Sequence, residues 1–293
     1  MGSYANAPLS YGAFEVTVGH GYSVPPAEEV LAAMSRAGYA GTELGPPGYL
    51  GEGGALAERL DRFGLELVGG FAPLPLTEPN AELGALGRVL DLFEAARAGS
   101  AKPVLADMGS PRRRDNPGRA ARDPALAPDD ATWRRLVEGV RRACDEARSR
   151  GFEPTFHPHG GSYVEAPDEI ARLLEDTDVG LLLDTGHLVL GGGAPLDALR
   201  RWGERLNHVH VKDVRLDLLR RGGDMLAAWR RGVFCELGKG DVELGAFLSE
   251  LRGSGYEGWI VIEQDRVLTS DSEFVEAAKA QEHNLRWLEE RAG

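Results

Sequence analysis

Residues 149–161 read SRGFEPTFHPHGG. A helical pattern stops at glycine, an aromatic residue follows, and a short apolar run ends on two histidines. The same phrase recurs in RAGYAGTEL (36–44), RFGLELV (62–68) and GSGYEGWIV (253–261). Each marks a helix ending at glycine with a strand beginning within a few residues, the connection expected between parallel βα units.

Working outward, the apolar runs are AFEVTV (13–18), GTEL (41–44), LELVGG (65–70), PVLAD (103–107), PTFHP (154–158), VGLLLD (179–184), LNHVHV (206–211) and WIVIE (259–263). Amphipathic stretches lie between them. In DDATWRRLVEGVRRACDEARSRG (129–151), Leu136, Val137, Val140, Ala143, Cys144 and Ala147 recur at helical spacing, and Gly151 supplies a stop. Eight strands alternating with helices in a chain of 293 residues predict a single α/β domain over 1–293, a (β/α)8 TIM barrel. An open doubly wound sheet is the alternative. Against it, VTVGHGYS (16–23) carries no glycine-rich phosphate loop after the first predicted strand.

Two connections exceed plain turns. Residues 108–131 form an arginine-rich segment, and residues 214–241 include LDLLRRGGDMLAAWRRG, which predicts an extra helix. In a barrel both insertions sit on the C-terminal face, as lid or substrate-clamp candidates.

Composition narrows the function classes. Hydrophobic residues make up 42% of the chain, enough for a sizeable core. A net charge of −13 argues against a nucleic-acid groove and favours a neutral or metal-bridged small substrate. Only Cys144 and Cys235 are present, read as two buried thiols in a reducing cytoplasm. The N-terminal MGSYANAPLSYGAF does not have the form of a signal peptide, and no run is long enough for a membrane span. These features predict a soluble, cytoplasmic protein.

Five of the seven histidines fall between positions 157 and 210, each at or just past the end of a predicted strand. They are His157, His159, His187, His208 and His210. Asp184 ends the sixth run and Glu263 the eighth. Parallel strand ends converge on one mouth, and alternation puts His208 and His210 on one face. Imidazoles and carboxylates gathered there are costly without a cation. Mixed N and O donors suit Mn, Co, Fe or Zn better than Ca.

At these residues the chain resembles the xylose isomerase-like superfamily. The resemblance is carried by HPHGGSYVEAPDEIARLLEDTDVGLLLDTGHLVLGGGAPLDALRRWGERLNHVHVKDV (157–214) and GKGDVELGAFLSELRGSGYEGWIVIEQD (238–265). GTELGPPGYLG and LVGGFAPLPL in the N-terminal half resemble its inosose dehydratase branch. The resemblance implies a (β/α)8 barrel with one divalent metal ion, commonly Mn or Co, with Zn, Fe or Mg as further candidates. It places Asp184, His210 and Glu263 as metal ligands. Members that isomerise or epimerise usually carry a glutamate where this chain has His157, so His157 is expected to complete the ligand set, while His159 faces the substrate.

That departure favours loss of water from a keto-polyol or keto-sugar over epimerisation, which needs a base on each face of the carbon. Acid–base catalysis is expected from His159, His187 or Lys212, with Glu263 as a contributor. His159, His187 and Lys212 are also candidates for substrate binding. Glu43 binds a substrate hydroxyl or makes a structural hydrogen bond, and His208 orients a ligand. Four rivals remain: a metal-dependent sugar isomerase or epimerase, a 3-keto-glycoside-cleaving enzyme, a DNA-repair endonuclease and a sugar-binding barrel without activity. The expected partner is the small-molecule substrate, with no nucleic acid and no membrane; self-association into a homo-oligomer stays open.

Overall fold

A computed structural model describes residues 3–292. The ends of the expected 1–293 domain, residues 1, 2 and 293, lie outside the described residues. Eight parallel strands close into a barrel: β1 (Tyr4–Asn6), β2 (Gly41–Glu43), β3 (Glu66–Leu74), β4 (Lys102–Asp107), β5 (Thr155–Phe156), β6 (Gly180–Asp184), β7 (Leu206–Val211) and, last, Ile260–Ile262. Two short strands, β8 (Asp213–Val214) and β9 (Phe234–Cys235), pair antiparallel outside the barrel, so the closing barrel strand is β10. Its pairing to β1 closes the ring and excludes the open sheet.

The helices are α1 (Ala27–Ala37), α2 (Gly54–Phe63), α3 (Gly84–Ala95), α4 (Pro111–Arg114), α5 (Asp130–Ser149) and α6 (Pro167–Asp176). They continue with α7 (Thr185–Leu190), α8 (Pro195–Trp202), α9 (Leu216–Leu219), α10 (Met225–Arg230), α11 (Leu244–Gly253) and α12 (Asp271–Ala292). Helix α5 shows why the sequence pattern works. The Asp129 carboxylate caps it by accepting from the Thr132 N–H, and its apolar stripe from Trp133 to Ala147 is buried. Gly151, at φ +84°, then turns the chain toward β5. The largest buried cluster lies between the strand ring and the helices and includes Phe93, Leu105, Val140 and Phe156. Each such side chain contributes about 1.5–3 kcal/mol.

The first strand is not where the sequence pattern puts it. Residues 13–18 form turns, and Tyr4–Asn6 pairs with β10 and β2. Thr17 explains the difference. Its buried hydroxyl donates to the Gly12 carbonyl at 2.7 Å and accepts from the Phe14 N–H at 3.1 Å. These local bonds compete with a strand ladder and win. The extra helix expected in 214–241 is two short ones, α9 and α10, broken at the paired glycines 222 and 223. Of the two thiols, Cys144 is buried and Cys235 only half-buried; neither forms a disulfide. No described helix is long and apolar enough to cross a membrane.

Register sets the site. Asp184 lies opposite His210 across the β6–β7 pair, and Val261 lies opposite His210 across β7–β10. Glu263 therefore emerges beside them, immediately after β10. His157 follows β5, its N–H bonded to the Leu105 carbonyl of β4 at 2.8 Å.

Candidate metal centre

Four donor atoms meet at the mouth of the barrel. Asp184 Oδ2 lies 3.7 Å from His157 Nε2 and 3.7 Å from His210 Nδ1, and His210 Nδ1 lies 2.9 Å from Glu263 Oε2. All four side chains are buried. Ligands bound to one ion at about 2.0–2.2 Å stand about 3.0–3.6 Å apart; these separations lie just outside that range on either side, and the donor atoms of His157, Asp184 and His210 all stand within 4.8 Å of one another.

Hydrogen bonds on the far side of each ring fix the tautomers. His157 Nδ1 donates to the Pro158 carbonyl at 2.8 Å, which leaves its Nε2 lone pair facing Asp184. His210 Nε2 donates to Glu43 Oε1 at 2.8 Å, which turns Nδ1 toward Asp184 and Glu263. Asp184 divides its work: Oδ1 accepts from the His187 N–H at 2.9 Å and starts α7, while Oδ2 turns to the cluster. Neither Asp184 Oδ2 nor His210 Nδ1 makes a well-aligned hydrogen bond, although Lys212 Nζ stands 3.3 Å from the first and Glu263 Oε2 2.9 Å from the second. Buried donor atoms held close but poorly aligned suit ion ligands. The electrostatics agree. Burial alone would lower the His210 pKa, but Glu263 and Glu43 outweigh it and hold the imidazole well above its ordinary range. The cluster thus calls for positive charge at this point, and the residues present fit a divalent metal ion.

Glu43 lies beneath this set. Its Oε1 accepts from both His208 Nε2 (2.9 Å) and His210 Nε2 (2.8 Å). Burial opposes its ionisation, yet the two imidazoles outweigh that penalty and hold the carboxyl well below the usual range. Of the two roles expected for Glu43, the structure shows the hydrogen bond within the barrel. Gly69 makes room for it, since a Cβ there would stand 2.6 Å from Glu43 Oε1. Glu43→Gln removes a charge that orients a ligand ring and should weaken metal binding about 10- to 100-fold, measured by competition with a chelator.

Lys212 is buried among three carboxylates: Asp184 (3.3 Å), Glu263 (2.9 Å) and Asp265 (2.8 Å). Burial works against its charge, but Asp184, Asp265 and Glu263 raise its pKa well above the normal lysine value. It is a fixed cation with no lone pair to act as a base.

A cavity of about 530 Å³ opens over the cluster, bordered by His157, His159, His210, Lys212 and Glu263. Both long connections reach it, through Met108 and Arg114 from one and Met225 and Trp229 from the other. His159 donates from Nδ1 to the Gly160 carbonyl at 3.0 Å, leaving Nε2 with a lone pair. Burial and the nearby Lys212 charge lower its pKa to about 4, so the ring is neutral at physiological pH. His187 is different. It packs behind His159, with ring centroids 3.9 Å apart, and is not among the residues bordering the cavity. Its Nδ1 accepts from the Gly160 N–H at 3.2 Å, so Nε2 carries the hydrogen. The expected direct contact between His187 and substrate is therefore revised to support of the His159 loop.

Three acidic residues went unselected from sequence. Asp107 ends β4 and borders the cavity, its Oδ2 accepting from the N–H groups of Gly109 and Tyr163. Its signal was present, because PVLAD ends on an acid as VGLLLD does. Asp265 follows Glu263 at the two-residue spacing that returns to the same face. Glu15 also borders the cavity, but it was hidden inside the misplaced first strand.

Inosose dehydratase from Geobacillus kaustophilus is 32% identical over 254 residues, covering 82% of this chain and 80% of that protein. Two solved structures share the fold at low identity. D-allulose 3-epimerase from a Methylomonas species, in complex with D-allulose, superposes with a TM-score of 0.69 at 17% identity, covering 99% of this chain and 97% of that one. The IolI protein with a bound zinc atom gives 0.66 at 15% identity, covering 99% and 97%. The family described as xylose isomerase-like TIM barrel matches residues 31–291. A closed eight-stranded barrel, donor residues at its last four strand ends and a match across most of its length place this chain in the xylose isomerase-like TIM barrel family.

Proposed function

We propose that the protein is a divalent-metal-dependent dehydratase that removes water from an inosose-like keto-polyol. The single observation carrying this reading is the strand-five position. His157 stands there with its lone pair turned to Asp184, so of the two ligands that would flank a substrate carbon only Glu263 is a carboxylate. Proton removal and return on opposite faces, as epimerisation demands, lacks its second carboxylate. Dehydration needs a single base and a donor for the leaving hydroxyl. The 32% identity to an inosose dehydratase supports the same substrate class.

His157, Asp184, His210 and Glu263 would hold the ion, and their mixed N and O donors suit Mn, Co, Fe or Zn. When bound, such an ion polarises the substrate carbonyl and acidifies the adjacent C–H. His159 takes that proton through Nε2, which is uncharged and free. Lys212 steadies the negative charge that develops on the carbonyl oxygen. His187 fixes the HPHGG loop through Gly160. The apolar rim supplied by Val16, Met108 and Trp229 limits water at the reacting carbon.

The test is direct. Protein stripped with chelator and resupplied with Mn or Co is mixed with 2-keto-myo-inositol, and its metal content is measured in parallel. An ultraviolet-absorbing enone or dione should accumulate only in the metal-loaded sample. An epimer or isomer formed without water loss would overturn the reading.

A further inference from the structure

Loss of a hydroxyl group as water needs a proton donor; His159, once protonated, serves only a hydroxyl leaving from its own side of the ring, and one leaving from the opposite side needs a second group. Lys212 is locked among three carboxylates. Asp107 borders the cavity, but two N–H groups bind its Oδ2 and its Oδ1 is closed to solvent. Glu15 remains. It sits on the turn that follows β1, bordering the cavity together with Glu263 and Lys212. Among the described residues no ion pair or partner side chain engages its carboxyl group, whose one hydrogen bond is to its own backbone N–H. Phe14 and Val16 flank it, and Phe14 stacks edge-on against Trp229 at 5.1 Å, which makes that side of the cavity apolar. An unpaired carboxyl group on an apolar wall of the cavity is placed to carry a proton.

We propose that Glu15 is a catalytic residue, the carboxylic acid that protonates the departing β-hydroxyl group. The proposal rests on the dehydratase reading. Burial, then Glu263, Asp265 and Glu43, raises the Glu15 pKa to about 7 against the pull of its own N–H. His159 removes the α-hydrogen as a proton, and the C–H pair passes into the enolate. Collapse of the enolate forms the C=C bond and breaks the β C–O bond, while the Glu15 proton joins the leaving oxygen to give water. Glu15 ends as a carboxylate and His159 as an imidazolium; a proton relayed through cavity water restores both.

The test uses the metal-loaded full chain as wild type and as Glu15→Gln, with 2-keto-myo-inositol in D2O. Exchange of the α-hydrogen and release of water are followed in one sample by NMR. Glu15→Gln should keep exchange within about tenfold of wild type and lose water release by on the order of 10²–10⁴-fold. A β-fluoro analogue, whose fluoride departs without protonation, should restore elimination by Glu15→Gln to near the wild-type rate. A structural role would depress exchange and both eliminations together, and that result overturns the assignment. So does unimpaired water release by Glu15→Gln. If the wild type itself exchanges hydrogen without releasing water, the dehydratase reading fails first, a result distinct from either of these.

Discussion

Asp184→Ala should leave a folded barrel that binds the metal ion poorly and turns over on the order of 10³–10⁴-fold more slowly, the equivalent of several kcal/mol of lost charge stabilisation. Asp184 Oδ2 lies 3.7 Å from both His157 Nε2 and His210 Nδ1, so removing it takes away the donor they share. The alanine also removes the cap of α7, because Oδ1 accepts from the His187 N–H. That second loss costs about 1 kcal/mol of stability and is separable. Asp184→Asn keeps an oxygen for the cap while weakening the ligand. Metal content by elemental analysis, circular dichroism and turnover, measured on both variants, divide the two effects. Full turnover by either variant after rigorous chelation would remove the ion from the mechanism.

Arg113→Met should destabilise the protein by about 3–5 kcal/mol, the typical cost of stranding a buried charge partner. Arg113 is 1% exposed, although it lies in the arginine-rich connection that sequence alone marks as a lid or clamp. Its guanidinium donates to the Ser162 carbonyl (2.7 Å), to the Leu126 carbonyl (3.1 Å) and to both Glu169 oxygens (2.9 and 2.8 Å). Glu169 in turn accepts from the N–H groups of Glu165 and Ala166 at the start of α6. Arg113 thus ties the β4 connection to the loop that carries His157 and His159. The destabilisation is read from the urea midpoint, and turnover should fall with it as the histidine loop loosens. The double variant Arg113→Met, Glu169→Gln should lose less than the sum of its parts, because neither charge is then left alone.

How far the sequence spoke depended on whether a feature obeyed a rule of local chain geometry. The strands after the first followed the alternation of apolar run and helix, and their ends could be gathered at one mouth because parallel barrels allow no other arrangement. That is why His157, Asp184 and His210 form a group in the sequence itself, and the structure brings their donor atoms within 4.8 Å of one another. The first strand failed because Thr17 bonds its neighbours through its side chain, a choice invisible to periodicity. Contacts across the barrel were equally hidden. Glu43 reaches His208 and His210 from 165 and 167 residues away, and nothing in TELG announces which group it meets. The tautomers were out of reach as well. Only the Gly160 N–H, seen in place, decides that His187 keeps its hydrogen on Nε2 and stands behind His159.

The four candidate ion donors all stem from the second half of the ring, whereas Glu15, Phe71 and Met108 bring the first half to the chamber wall. One wall of the chamber is therefore written on a different stretch of polypeptide from the four donors. Phe71 and Met108 on that wall can be reshaped in sequence while the donors stay as they are.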